Sequence, residues 1–561
     1  MMSAQAMAQQ ALARAAAGDD AGAAALFSQA LAAFPDDPRL ANSAGNFHNR
    51  AGRPAEALAL FERAMAIAPD LFEAALNAAI VTTGLGQPAR AVAILRAYER
   101  HPAVDARYWR VRTDAEREAQ LYRDASTSFA KAAALDPGNP VTARIRARLS
   151  LERNDPAMLA HHEAALAQFP GDPHLMHDYA QALALAGRMD EALEYTGALA
   201  EYLPTWPPGL ILHAELRWAK GEADHFADHF ARAAAAEGAT PQVMLAWSGV
   251  LDGIDRHGES AAVLGEARAR WPDLPELALA HAVALGEAGE AEAAQAIYAA
   301  NAGAEGSDWT VARGRNWLRL GEFVTAEQTL AAALAQYPAD VQAWALIDLC
   351  WRVTGDPRHQ WLHGQANLVR QITLPLDPAE LAALNELLDD LHRRSAPPIG
   401  QSVKIGTQTK GALFARHEPE LARLEAALHE VLADYRASLP PFDARHPLLS
   451  RRADPWRIIG SWSIRLEGAG HHAAHIHPRG TLSSASYYRV SPEVDAPGRG
   501  GWLELGRPPA GLVPELGALH AVKPIVGTCV LFPSTLFHGT RPISMGTRMT
   551  VAFDVAAEPT N

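Results

Sequence analysis

Up to about residue 355 the chain repeats one order of small apolar, large apolar and proline positions. Pro35, Pro69, Pro102, Pro137, Pro170 and Pro204 are separated by 34, 33, 35, 33 and 34 residues. Ahead of several of them Ala23, Phe27 and Ala30 recur as Ala57, Phe61 and Ala64, as Ala125, Phe129 and Ala132, and later as Ala326, Leu330 and Ala333 before Pro338. Spacings of three and four place these residues on one helical face. Small side chains there let antiparallel helices approach closely, and the large one fills the gap between successive pairs. The proline closes the second helix of each pair, because it cannot continue the hydrogen-bond ladder. Between about residues 205 and 320 the pattern drifts, although helices are still expected over Leu210 to Ala219 and Pro275 to Ala288.

The text then changes. A helix is expected over Asp377 to Arg394, with an Asp-Pro start and a Leu381, Leu384, Leu387, Leu388, Leu391 stripe, and another from about Glu418 to Ala437. Seven strands follow: Trp456 to Leu466, His471 to His477, Ser483 to Val490, Gly501 to Leu505, Ala518 to Pro524, Cys529 to Phe532 and Arg548 to Val555. Glu467 to Gly470, Pro497 to Gly501 and Ser544 to Gly546 carry turn residues between them. Short strands with no helix between them predict a double-sheet jelly roll.

The 34-residue period resembles the tetratricopeptide repeat. The expected architecture is a multidomain α plus β chain: an all-α repeat solenoid over 1–355, a helical linker over 356–400, and a double-stranded β-helix (jelly roll) with an N-terminal helix over 401–561. Stacked helix pairs offer an extended surface for a peptide or protein partner, or serve only as a scaffold.

Charge sharpens the partner class. From residue 396 onward 17 Lys and Arg face 14 Asp and Glu, whereas 33 face 50 before it. An acidic front and a nearly neutral back argue against nucleic acid, which requires clustered basic charge. No apolar run approaches the roughly 20 residues of a membrane-spanning helix. With two cysteines, Cys350 and Cys529, and no secretory leader in the Ala-rich start, a reducing, cytoplasmic setting is expected.

The candidate chemistry lies at the C-terminal end. On a strand, His475 and His477 would point the same way, and the distant His538 could complete one face of a metal ion. Strand parity turns His472 away from His475 unless a bulge intervenes, so it is expected behind the ligands or towards the substrate. Arg548 and Thr550 share a strand face and can hold a carboxylate together. His161, His162, His225 and His229 lack a third ligand nearby and are expected to pack.

Gly470 to Pro478, Ser483 to Tyr488, Gly501-Trp502, Val530 to Ser534, His538 to Thr540 and Arg548 to Asp554 resemble the 2-oxoglutarate- and Fe(II)-dependent oxygenases that occur fused to tetratricopeptide repeats. The likeness runs over roughly residues 396 to 556. It implies Fe(II) held by His475, His477 and His538, 2-oxoglutarate anchored by Arg548 and Thr550 with Tyr488 as a further contact, and hydroxylation of a substrate C–H bond; the acidic repeats beside the site favour a polypeptide as that substrate, a basic one most naturally. Where the wider superfamily has His-x-Asp, this chain has His477 as the second member. Two other readings stay open: a three-histidine zinc hydrolase, and a non-enzymatic adaptor whose barrel has lost its chemistry.

Overall fold

A computed structural model describes residues 2–557. The chain forms two compact units, residues 1–175 and 176–561, rather than dividing where the repeats end. In the first unit, helices from Ala4–Ala16 to Met158–Leu166 follow one another as antiparallel pairs. The repeating residues form the core: Ala23, Phe27, Ala30, Ala57, Phe61 and Ala64 are all fully buried. Helices Asp20–Ala33, Pro54–Ile67 and Tyr122–Leu135 each end two residues before the periodic proline, as expected from its effect on the residue ahead of it. Gly45 shows why small residues are needed, since a Cβ there would stand 2.6 Å from the Phe61 ring.

The second unit continues the pairs and adds the sheets. Helices Pro207–Ala219, Asp228–Ala235, Pro241–Asp252, His257–Arg270, Pro275–Glu287, Ala291–Ala300 and Ser307–Arg319 occupy the stretch where the pattern drifts. Only eight residues long, Asp228–Ala235 is the shortest of these and accounts for part of that drift. Phe323–Gln336 again ends two residues before its proline, Pro338. Helix Val341–Thr354 leaves no free boundary near residue 355. Its Leu346 and Trp351 pack in one cluster with Leu512 and Phe537, and Arg352 donates to the carbonyls of Gly506 and Gly517.

Among the described residues nine strands make the barrel: β1 Arg370–Thr373, β2 Val403–Gln408, β3 Trp456–His472, β4 Leu482–Arg489, β5 Leu503–Leu505, β6 His520–Val522, β7 Thr528–Pro533, β8 His538–Thr540 and β9 Thr547–Ala557. They form a six-stranded antiparallel sheet, β1-β7-β4-β9-β3-β2, and a three-stranded one, β6-β5-β8, in a jelly-roll arrangement. One face of the larger sheet buries Met549, Val551 and Phe553 under helices Pro378–Arg393 and Pro419–Ser438. The first of these opens on the expected Asp377 cap, whose side chain accepts from Ala379 and Glu380. The opposite face meets the small sheet through Ala485, Tyr487, Leu503, Leu505 and Phe532. No helix is long and apolar enough to cross a membrane among the described residues.

Two expectations are corrected here. The residues read as a turn, Glu467 to Gly470, lie inside the 17-residue β3, and the separate strand His471 to His477 does not form. The chain leaves the sheet after His472, and His475 pairs with His538 as an isolated bridge. In addition β1, within the segment read as a helical linker, pairs with β7 as a member of the larger sheet.

Candidate active site

His475, His477 and His538 come together without a common strand. The backbones of His475 and His538 exchange hydrogen bonds at 3.0 and 2.9 Å, which sets their rings side by side with centroids 4.1 Å apart. Two residues on, before the turn at Pro478, His477 brings its Nε2 within 3.0 Å of Nε2 of His475. One ring nitrogen from each of the three lies within 4.8 Å of the others, and no other such cluster of His, Cys, Asp or Glu occurs among the described residues.

The second nitrogen of each ring is already engaged. Nδ1 of His475 faces the Ala473 carbonyl at 2.8 Å, Nδ1 of His538 the Leu536 carbonyl at 3.2 Å, and Nδ1 of His477 the Asp554 carboxylate at 2.6 Å. An acceptor at Nδ1 fixes the proton there and leaves the Nε2 lone pair free, as ligation requires. Ser402 Oγ, 3.2 Å from Nε2 of His475, marks where one of those lone pairs points. Burial, with His477 alongside, pulls His475 down to about 3, and burial pulls His538 well below its ordinary value. Both are neutral near pH 7, the form that binds a metal.

Arg548 shares the cavity of about 580 Å³ with these histidines and with Thr550. Its side chain is 2% exposed and makes no ion pair among the described residues, and its Nε has no hydrogen-bond partner. The guanidinium stands 5.2 Å from the centre of the Tyr487 ring, whose buried hydroxyl also lacks a partner. Burial lowers the Arg548 pKa and raises that of Tyr487. A buried cation beside an unpaired hydroxyl is costly unless an anion reaches it. The donor set therefore fits both a divalent metal and a small dicarboxylate.

Thr550 is placed with Arg548 as the strand face predicts. Tyr488 is not, and this corrects the sequence reading. It lies among Leu384, Leu388 and Met549 on the helix-covered face, with its hydroxyl 3.0 Å from Ser486 Oγ. Its neighbour Tyr487 takes the place beside Arg548, because successive strand residues face opposite ways. His472 lies in the cavity wall, its Nδ1 3.0 Å from Ser402 Oγ and its ring stacked on that of His475 with centroids 6.1 Å apart, so it stands behind the cluster. Burial, then Arg548, hold its pKa far down.

Three residues were missed. Asp554 is six positions after Arg548 on β9, hence on the same face, so its parity was available in the sequence. It also accepts from Ser483 Oγ at 3.0 Å. Ser402, some 70 residues upstream of His472, and Trp462, whose ring meets His477 edge-on at 5.3 Å, gave no local signal.

Residues 460–554 match the family model described as "Putative 2OG-Fe(II) oxygenase". Residues 48–115 match a tetratricopeptide-repeat model. A PKHD-type hydroxylase of Burkholderia lata is 27% identical over 183 residues, covering 32% of this chain and 73% of the relative. Among solved structures, a tetratricopeptide repeat protein from Parabacteroides merdae aligns with 44% of this chain and 97% of its own at 16% identity and a TM-score of 0.38. Yeast Tom70 aligns over 78% and 97% at 12% identity and 0.33. The 2-oxoglutarate oxygenase match encloses every residue of the histidine cluster, together with Arg548, Thr550 and Asp554. Both halves of the resemblance read from the sequence, repeats and oxygenase, are thus met.

Proposed function

We propose that this chain is an Fe(II)- and 2-oxoglutarate-dependent dioxygenase that hydroxylates a polypeptide bound by its repeats, in a cytoplasmic setting. The observation that carries the reading is the coexistence, in one cavity, of three Nδ1-anchored imidazoles and a buried Arg548 without a counter-ion. His475, His477 and His538 would hold the iron, and Arg548 with Thr550 and Tyr487 would bind the far carboxylate of 2-oxoglutarate. When bound, the pair supplies the oxidising chemistry: one atom of O₂ enters a substrate C–H bond, the other enters succinate, and CO₂ leaves. Asp554 orients His477 and places a negative charge one residue behind the position where a ligating carboxylate would stand. Phe532 packs edge-on against His538 and Trp462 against His477, giving the cluster apolar flanks.

The buried Arg548 without a counter-ion supports the oxygenase over a zinc hydrolase, which has no need of a carboxylate anchor there. The adaptor reading rests on His477 in place of a carboxylate. Anaerobic loading with Fe(II) followed by O₂ and 2-oxoglutarate distinguishes the three. Succinate release that depends on iron supports the oxygenase. Tight zinc binding with no succinate supports the hydrolase, and failure to retain any metal supports the adaptor.

A further inference from the structure

The cavity at the histidine cluster adjoins a second one. The first, of about 580 Å³, is closed on one side by the turn after helix Pro241–Asp252, where Gly253 accepts from the backbone N–H of Gly400 at 3.0 Å. The second, of about 350 Å³, is walled by Gln181, by Glu215 and Ala219 of helix Pro207–Ala219, and by Pro397, Pro398 and Ile399. The two share Gln401, Gln408 and Trp462. Repeat helices and barrel thus line two neighbouring cavities that meet at Trp462, the inner one holding the three histidines.

The lining restricts what can occupy them. Its charged side chains are already paired: Lys410 with Glu215 at 3.0 Å, Lys404 with Asp255, and Asp252 with His257 at 3.0 Å. Arg548, at the inner end, is taken by the dicarboxylate. A charged small metabolite would therefore find no counter-charge and would lose hydration without compensation. By contrast, Gln181, Gln401 and Gln408 make no side-chain hydrogen bond to another described residue, although each amide offers two donors and an acceptor. Unpaired amides along an otherwise charge-neutral channel, with Trp462, Ile399 and two prolines as apolar walls, match the alternating N–H and C=O groups of an extended chain.

Resting on the oxygenase reading above, we infer that the substrate is an extended, charge-neutral polypeptide segment. It enters through the second cavity, lies between helix Pro207–Ala219 and the Gly400–Gln408 strand region, and passes Trp462 to present one side chain at the histidine cluster. The repeats are then part of the active-site channel itself, not a tether for a distant partner.

The test uses the full chain loaded with Co(II) and a non-reactive 2-oxoglutarate analogue, and a library of randomised twelve-residue peptides as the probe. Peptides poor in Asp, Glu, Lys and Arg should be enriched. Ala219→Trp, which fills the second cavity, should weaken the recovered peptides at least about tenfold while leaving Co(II) affinity and 2-oxoglutarate turnover without peptide unchanged. Gln181→Glu, which adds an uncompensated charge to the same wall, should do so without a large side chain and guards against misfolding of the first variant. Recovery of no peptide, enrichment of charged ones, or binding by both variants as tight as by the parent chain overturns the inference. If the parent chain binds no Co(II), the oxygenase reading fails instead, and the two failures are told apart by that one control.

Discussion

Two groups of buried histidines in this molecule share nearly every property except the one that makes a site. In the repeats, His213 and His229 lie with ring centroids 4.8 Å apart, and burial brings each down to about 4. In the barrel, His475 and His538 are 4.1 Å apart and are also held neutral by burial. Each ring of the repeat pair spends one nitrogen within the fold, His213 Nδ1 on Thr196 Oγ1 at 2.9 Å and His229 Nε2 on the Leu210 carbonyl at 2.8 Å, and the unpartnered Nδ1 of His229 belongs to no cluster of three ligand atoms among the described residues. The barrel set anchors each ring through its Nδ1, keeps its Nε2 atoms converging with only the Ser402 hydroxyl reaching one of them, and has a buried cation in the same cavity. Low pKa and close packing mark burial; convergent free lone pairs mark a candidate metal centre.

The sharpest way to break that contrast is to delete one member from each group. His538→Ala should abolish stoichiometric binding of Co(II), a loss of at least about a hundredfold in affinity, whereas His229→Ala should leave it unchanged and lower only the melting temperature. Equal metal binding by both variants would erase the distinction. Next in size, Arg548→Met should raise the 2-oxoglutarate concentration needed for half-saturation by roughly a hundredfold, measured by absorbance of the anaerobic Fe(II) complex. Metal affinity alone should hold. Asp554→Asn keeps an acceptor for His477 Nδ1 but removes its charge, so Co(II) binding should weaken by about ten- to a hundredfold with little change in unfolding temperature.

The pH response should be smaller and should appear in both groups. A histidine held to about 3 or 4 in the fold, but titrating at its ordinary 6.5 when unfolded, favours folding above pH 6.5. That contribution falls as pH drops from 6.5 towards 4, where the unfolded chain binds the extra protons, at about 1.4 kcal/mol per pH unit for each such group. His213→Gln should flatten the decline seen in melting temperature between pH 6.5 and 4. Bound Co(II) should steepen the decline instead, since acid then also expels the metal from the barrel histidines. Tyr487→Phe is expected to have the smallest effect, about a threefold weakening of 2-oxoglutarate binding, because the ring stays and only the hydroxyl is lost.

Much of this was visible in the residues. The Ala23, Phe27, Ala30 grammar reports a core position directly, because helix packing is local and periodic. Arg548 and Thr550 were readable because β9 is long and regular, and Asp554 could have been found by extending the same parity. His475 and His477 were paired for a reason the structure replaces: their convergence comes from a bend after His472 and a single bridge to His538, which no alternation rule encodes. Tyr488 shows how a shift of one residue moves a side chain to the other face of a sheet. β1 and β2 are short, and the second is interrupted by a bulge at Ile405. What makes them strands is a partner more than 50 residues away, and so they were not legible.

The central claim is that three imidazoles hold one divalent ion while Arg548 waits for the cosubstrate. Anaerobic titration of the full chain with Fe(II), followed by absorption spectroscopy as 2-oxoglutarate is added, tests it directly. The account predicts one iron per chain and a charge-transfer band that requires both components, vanishes in His477→Ala and shifts to higher 2-oxoglutarate in Arg548→Met. A band of full intensity in His477→Ala, or iron retained at the same stoichiometry without His475 and His538, would contradict it.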